Sequence, residues 1–83
     1  MKMGCITFRS ITPAQRGQRL LRSHGLEATL QRTPRWMEER GCGYCLRLQS
    51  EKIRQAAQLL RESGLAYSKI YLEENGTVTE WSV

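Results

Sequence analysis

Three stretches of the chain alternate apolar and polar residues with the period of two that marks a half-buried strand: Cys5-Ile6-Thr7-Phe8-Arg9, Glu27-Ala28-Thr29-Leu30-Gln31 and Tyr44-Cys45-Leu46-Arg47-Leu48. In the first, Ile6 and Phe8 face one way while Cys5, Thr7 and Arg9 face the other. In the second, Ala28 and Leu30 point inward, and in the third Tyr44, Leu46 and Leu48 share a face. Residues 66–72 read as a fourth strand. Glu74-Asn75-Gly76-Thr77 is a two-residue hairpin signal, and Thr77-Val78-Thr79-Glu80-Trp81 has the β-branched and aromatic content to return from it as a fifth, edge strand.

Between these stretches the period changes to that of a helix. Ala14, Gly17, Leu20, Leu21 and His24 form one stripe, and Ile53, Ala56, Ala57 and Leu60 form another. Thr12 before Pro13, with Gln15 three positions after the threonine, predicts a capping box at the start of the first helix, and Gly25 predicts its left-handed end. Ser50 is the expected cap of the second helix, Glu51 suits its positive end, and Gly64 closes it. Thr33-Pro34 opens an irregular segment running to Gly43, with one short helical turn expected over Pro34 to Glu39.

The order strand, helix, strand, strand, helix, strand predicts an α+β fold, a ferredoxin-like βαββαβ sandwich with an additional C-terminal edge-strand hairpin, as a single domain over residues 1–83. Right-handed crossovers put both helices on one face. This reading makes the first and third strands central, parallel neighbours and brings Cys5 and Cys45 together on the open face. Arg9, Thr29, Gln31, Arg47, Tyr67, Lys69 and Tyr71 are expected on that face too, which makes it polar, basic and partly aromatic.

Composition narrows the partners. Ten arginines and three lysines against eight glutamates and no aspartate give a formal charge of +5 over 83 residues. That favours anionic partners: RNA, an acidic protein face or a small oxyanion. A chain of this size buries only about 60–65% of its unfolded surface, which excludes a deep substrate cleft. The N-terminal residues do not read as a signal peptide and no apolar run approaches spanning length, so a cytoplasmic protein without a membrane partner is expected. In a reducing compartment three cysteines are better read as free thiols, metal ligands or redox groups than as a disulfide framework.

The candidate chemistry sits in Arg40-Gly41-Cys42-Gly43-Tyr44-Cys45. Gly41 and Gly43 allow a sharp turn with uncovered amides around the Cys42 sulfur. Arg35, Arg40 and Arg47 bring positive charge, which favours a thiolate. Cys42 and Cys45 form a Cys-x-x-Cys, but thioredoxin-type dithiols sit at the start of a helix, whereas this run enters a strand. Cysteines three apart in extended chain start about 10 Å apart, beyond the roughly 7 Å a disulfide tolerates, so a bridge requires a turn at Gly43. Zinc normally takes four paired soft ligands, and Cys5, Cys42, Cys45 and His24 supply one pair, so neither a metal nor a cofactor is expected. Arg16, Arg19 and Arg22 read as a solvated helix face or a docking surface. The tyrosines of the open face could stack bases, although Cys45 and Arg47 stand where RNA-recognition folds place aromatics. Burial of that face in a homodimer is a further possibility.

Ile6-Thr7-Phe8-Arg9-Ser10 followed by Thr12, the helix end Ser23-His24-Gly25-Leu26, Thr33-Pro34-Arg35, and Cys42-Gly43 leading to Leu46-Arg47 together resemble the "putative Se/S carrier protein-like" family of small bacterial domains, over about residues 5–72. The resemblance implies a ferredoxin-like fold and a role in handling sulfur or selenium, with Cys42 as the bearer. The expected activity is that of a carrier: Cys42 holds a persulfide or selenosulfide received from a donor enzyme and passes it to an acceptor protein. Arg35, Arg40 and Arg47 would stabilise the anion, Gly41 and Gly43 would give close backbone access, and Cys45 could act as a resolving thiol. Such a protein need not turn over a substrate by itself. The chain departs from the family pattern at Cys45, where a small apolar residue is common, and in its Asn75-Gly76 extension. The alternative is a non-catalytic protein- or RNA-binding module that uses the basic open face.

Overall fold

A computed structural model describes residues 2–33 and 43–81, with Trp81 described by its backbone. The elements are β1 (Met3–Phe8), α1 (Ile11–Ser23), β2 (Thr29–Arg32), β3 (Tyr44–Gln49), α2 (Ser50–Glu62), β4 (Ile70–Glu74) and β5 (Thr77–Trp81). Among the described residues they form one five-stranded sheet in the order β2-β3-β1-β4-β5, with antiparallel pairing throughout. Two helices and this sheet make an α+β architecture compatible with the ferredoxin-like class. The expected helical turn over Pro34 to Glu39 lies outside the described residues.

The central pair corrects one expectation. β1 and β3 are neighbours, as the element order requires, but they run antiparallel, with Ile6 opposite Leu46. The α1 crossover leaves β1 and β2 pointing the same way, and β3 reverses direction against β2 before slotting between them, so it must oppose β1. Alternation is unaffected by this reversal. Gly4, Ile6 and Phe8 on β1 and Tyr44, Leu46 and Leu48 on β3 still face the helices.

Ile6, Phe8, Leu46 and Leu48 build the main core with Ala14, Leu21, Leu26, Ile53, Ala56, Ala57, Leu60 and Ile70, all buried, and Leu20, Ala28, Leu30, Tyr44, Leu65 and Leu72 pack around them. The helices approach the sheet closely at two glycines. A side chain at Gly17 would start 3.2 Å from Phe8, Leu46 and Leu60, and one at Gly4 would collide with Ile53. Between the two ends of α1, Gln18 Nε2 donates to the Ala28 carbonyl at 3.0 Å and ties the helix to the approach of β2.

Both helices end alike. Gly25 (φ 77°) and Gly64 (φ 74°) adopt the left-handed conformation. Around them Gly25 N donates to Arg22 O and Leu26 N to Leu21 O, and Gly64 N donates to Arg61 O and Leu65 N to Leu60 O. These are Schellman closures, sealed by Leu26 against Leu21 and Leu65 against Leu60 in the core. The helix starts differ from the reading of the sequence. α1 is entered from Ser10, so Thr12 and Pro13 fall inside its first turn, where proline removes no intrahelical hydrogen bond. α2 is entered from Gln49, with Ser50 its first residue. Neither cap side chain bonds the helix.

The strand limits shift as well. β2 begins at Thr29 and β4 at Ile70, because residues before Ile70 meet β1 through Thr7. Thr7 N donates to Lys69 O at 2.8 Å, Lys69 N donates to Thr7 Oγ1 at 3.0 Å, and Ser68 N donates to Thr7 O at 2.8 Å. The Asn75-Gly76 turn has positive φ at both residues (51° and 81°), the type I′ geometry that joins twisted strands, and it delivers β5 to the outer edge of β4.

Candidate functional site

On the face of the sheet away from the helices, the alternation assembles Thr29 and Gln31 of β2, Cys45 and Arg47 of β3, Met3, Cys5 and Thr7 of β1, Tyr71 and Glu73 of β4, and Val78 and Glu80 of β5. The register puts Gln31 opposite Cys45, Thr29 opposite Arg47, Cys5 opposite both Arg47 and Tyr71, and Glu73 opposite Val78. Cys5 and Cys45 are therefore diagonal neighbours on the two central strands. They form a small buried cluster of their own, 4% and 0% exposed, with Tyr71 and Val78 packed against it.

The surroundings of the two sulfurs are not equivalent. Hydrogen bonding with the Cys5 thiol is the largest influence favouring the ionised form of Cys45, the Gln31 and Thr33 side chains favour it as well, and the Arg47 guanidinium adds positive charge. Together these outweigh the desolvation of burial and bring the Cys45 thiol from about 9.0 down to about 7. Cys5 moves the other way. Its proton is held by the bond to Cys45, and burial and the Cys45 charge push its pKa up further, with Glu73 adding to the effect and Arg47 opposing it. Of the two, Cys45 is therefore the thiol that ionises first, while Cys5 keeps its proton.

Two donors near this pair have unused capacity. Thr33 is 7% exposed, and its Oγ1 is buried without a hydrogen-bond partner among the described residues. Arg47 Nε is likewise buried without a partner among the described residues, while its other end reaches Glu73 Oε1 at 3.1 Å. Thr33 is fixed by its own backbone. Thr33 N donates to Gly43 O at 3.0 Å, and Gly43 is held so close to the Phe8 carbonyl that an added Cβ would start 3.0 Å from it.

Of the residues singled out in the sequence, Gly43, Cys45 and Arg47 are described, whereas Cys42, Gly41, Arg35 and Arg40, and the neighbouring Trp36 and Met37, lie outside the described residues. The proximity of Cys5 and Cys45 agrees with the alternation. Cys5 is a partner in the thiol pair, a role the sequence reading did not give it, and Thr33 and Gln31 complete the surroundings. Tyr67 differs from expectation: it packs against the main core, because the segment before β4 is not in regular alternation. The open face is also less basic than its composition suggests, since Arg47 pairs with Glu73, and Lys69 with Glu80 at 3.5 Å. His24 Nδ1 lies 3.0 Å from the Leu20 carbonyl and 3.2 Å from Ser23 Oγ, the bonding of a helix-end histidine. No helix among the described residues is long and apolar enough to cross a membrane.

Residues 3–72 match the family described as "Putative Se/S carrier protein-like", and the chain belongs to that family. No curated protein and no solved structure matches it. The matched span contains all three cysteines and ends before Glu73, so Glu73, Val78 and Glu80 of the thiol face lie outside it.

Proposed function

We propose that the protein carries single sulfur or selenium atoms from a donor enzyme to an acceptor protein, with the Cys42 thiolate as the bearer. The observation that carries this reading is membership of the Se/S carrier family over a span that includes the Cys42-Gly43 element. Loading needs one exchange. The Cys42 thiolate attacks the outer sulfur of a donor persulfide, a new S–S bond forms, and the donor cysteine leaves as its thiolate; delivery repeats the step with the acceptor as nucleophile. Arg35 and Arg40 would steady the anion, and Gly41 and Gly43 would let a partner approach the backbone. Crowding of Gly43 against the Phe8 carbonyl supports the requirement for glycine beside the thiol.

The test is sulfur loading by a cysteine desulfurase, read by intact mass. Cys42→Ser is expected to abolish the added sulfur, and unchanged loading would overturn the assignment. The alternative of an RNA- or protein-binding face has less support, because Arg47 and Lys69 are matched by glutamates and Tyr67 packs with the core. Location in the cytoplasm fits the proposed donor and the use of free thiols.

A further inference from the structure

We infer that Cys5 and Cys45 form a second, internal cargo site that holds one selenium atom as a selenotrisulfide bridge between the two central strands. The choice of selenium rests on the carrier reading above; the two-thiol site itself does not.

Geometry favours an inserted atom over a direct bond. Diagonal partners on antiparallel strands lie about 7–8 Å apart, whereas a disulfide tolerates Cα separations of at most about 7 Å. A direct Cys5–Cys45 bond would thus sit at or beyond that limit, between two strands that are each paired on both sides. One atom between the sulfurs lengthens the link and relieves that demand. The two cysteines already pack together in one buried cluster, and their burial against Tyr71 and Val78 suits an uncharged, polarisable bridge.

The neighbours suit the loading reaction. Arg47 runs from partial solvent exposure to a buried Nε without a partner among the described residues, and Thr33 offers a buried hydroxyl in the same state. Both can receive a small selenium oxyanion as it sheds oxygen. With selenite and a low-molecular-weight thiol the step balances. Two protein thiols, two small thiols, one selenite dianion and two protons give the S–Se–S bridge, one small-molecule disulfide and three waters. The two protein S–H bonds become S–Se bonds, and the oxygens leave as water. Selenium gains two electrons, supplied by the two small thiols as they join.

The experiment uses the full chain carrying Cys42→Ser, treated with selenite and reduced glutathione and analysed by non-reducing intact mass and tryptic mapping. The expected product gains one selenium and loses two hydrogens, with the Met3–Arg9 and Gly41–Arg47 peptides joined through selenium. Cys5→Ala in the same background is expected to lose that species. If that variant does not fold, the joined peptides of the parent decide the matter alone. A glutathione-bearing adduct on one cysteine, a selenium-free disulfide, or no adduct would each overturn the inference. Because this variant lacks Cys42, its result is independent of the desulfurase assay: bridge formation can fail while Cys42 loads, and the reverse.

Discussion

Cys5 and Cys45 stand diagonally across the β1–β3 ladder, each on the row facing away from the helices, and hydrogen bonding between them is the largest influence on the ionisation of both. A buried pair of this kind ties protonation to folding.

Stability should follow pH with a defined sign. Cys45 ionises more readily in the fold, near 7 against about 9.0. Its contribution is therefore full above pH 9.0 and is lost as pH falls through about 7. Cys5 is shifted upward, so its contribution is full below about pH 9.0 and is lost as pH rises beyond it. The pair together should stabilise most near pH 9.0. In urea unfolding, the midpoint difference between wild type and Cys45→Ala is expected to widen from pH 7 to pH 9; a constant difference would contradict the assigned asymmetry.

Arg47→Met should raise the pKa of Cys45, since the guanidinium is one of the groups favouring the thiolate. The pH dependence of the Cys45 Cβ resonance reads this directly. The lost ion pair with Glu73 should itself cost no more than about 1 kcal/mol, because both partners are part-exposed. A resonance profile that does not move would remove Arg47 from the site.

Gly25→Ala and Gly64→Ala should each destabilise by about 1–2 kcal/mol, the cost of a side chain in the left-handed region. No atom lies within 4 Å of the Cβ either would add, so backbone conformation alone is being measured. Matching losses in denaturation midpoint would identify the two helix ends as equivalent, and a neutral result at either would show that its Schellman closure is dispensable.

Gly17→Val tests the helix–sheet contact. Its Cβ would already meet three core side chains at 3.2 Å, and a branched residue should cost about 1–3 kcal/mol through overpacking. Thermal unfolding gives the answer; a wild-type midpoint would mean that α1 can lift from Phe8 and Leu46 without penalty.

Period-two alternation carried much of the architecture. It placed Ile6, Phe8, Leu46 and Leu48 against the helices and Cys5 and Cys45 on the opposite face, and this parity survives reversal of the β3 direction. Helix starts were less legible, because Thr12-Pro13 mimics a capping signal while Ser10 and Gln49 enter the helices without a side-chain bond to advertise them. The lower end of β4 was hidden for a related reason: Lys69 bonds to the Thr7 side chain as well as its backbone, which no local pattern encodes. Thr33 was legible as part of the Thr33-Pro34-Arg35 element but not as a neighbour of the thiols. Its hydroxyl matters only once the β2–β3 register has brought Gln31 opposite Cys45 and the Thr33 amide onto Gly43.

The bond from the Thr33 amide to the Gly43 carbonyl has a modular consequence. Both ends of the intervening nine residues are pinned by strands that owe their positions to other contacts. Those residues can be exchanged for a relative's as a unit on the same two anchors, with the sheet left as it is.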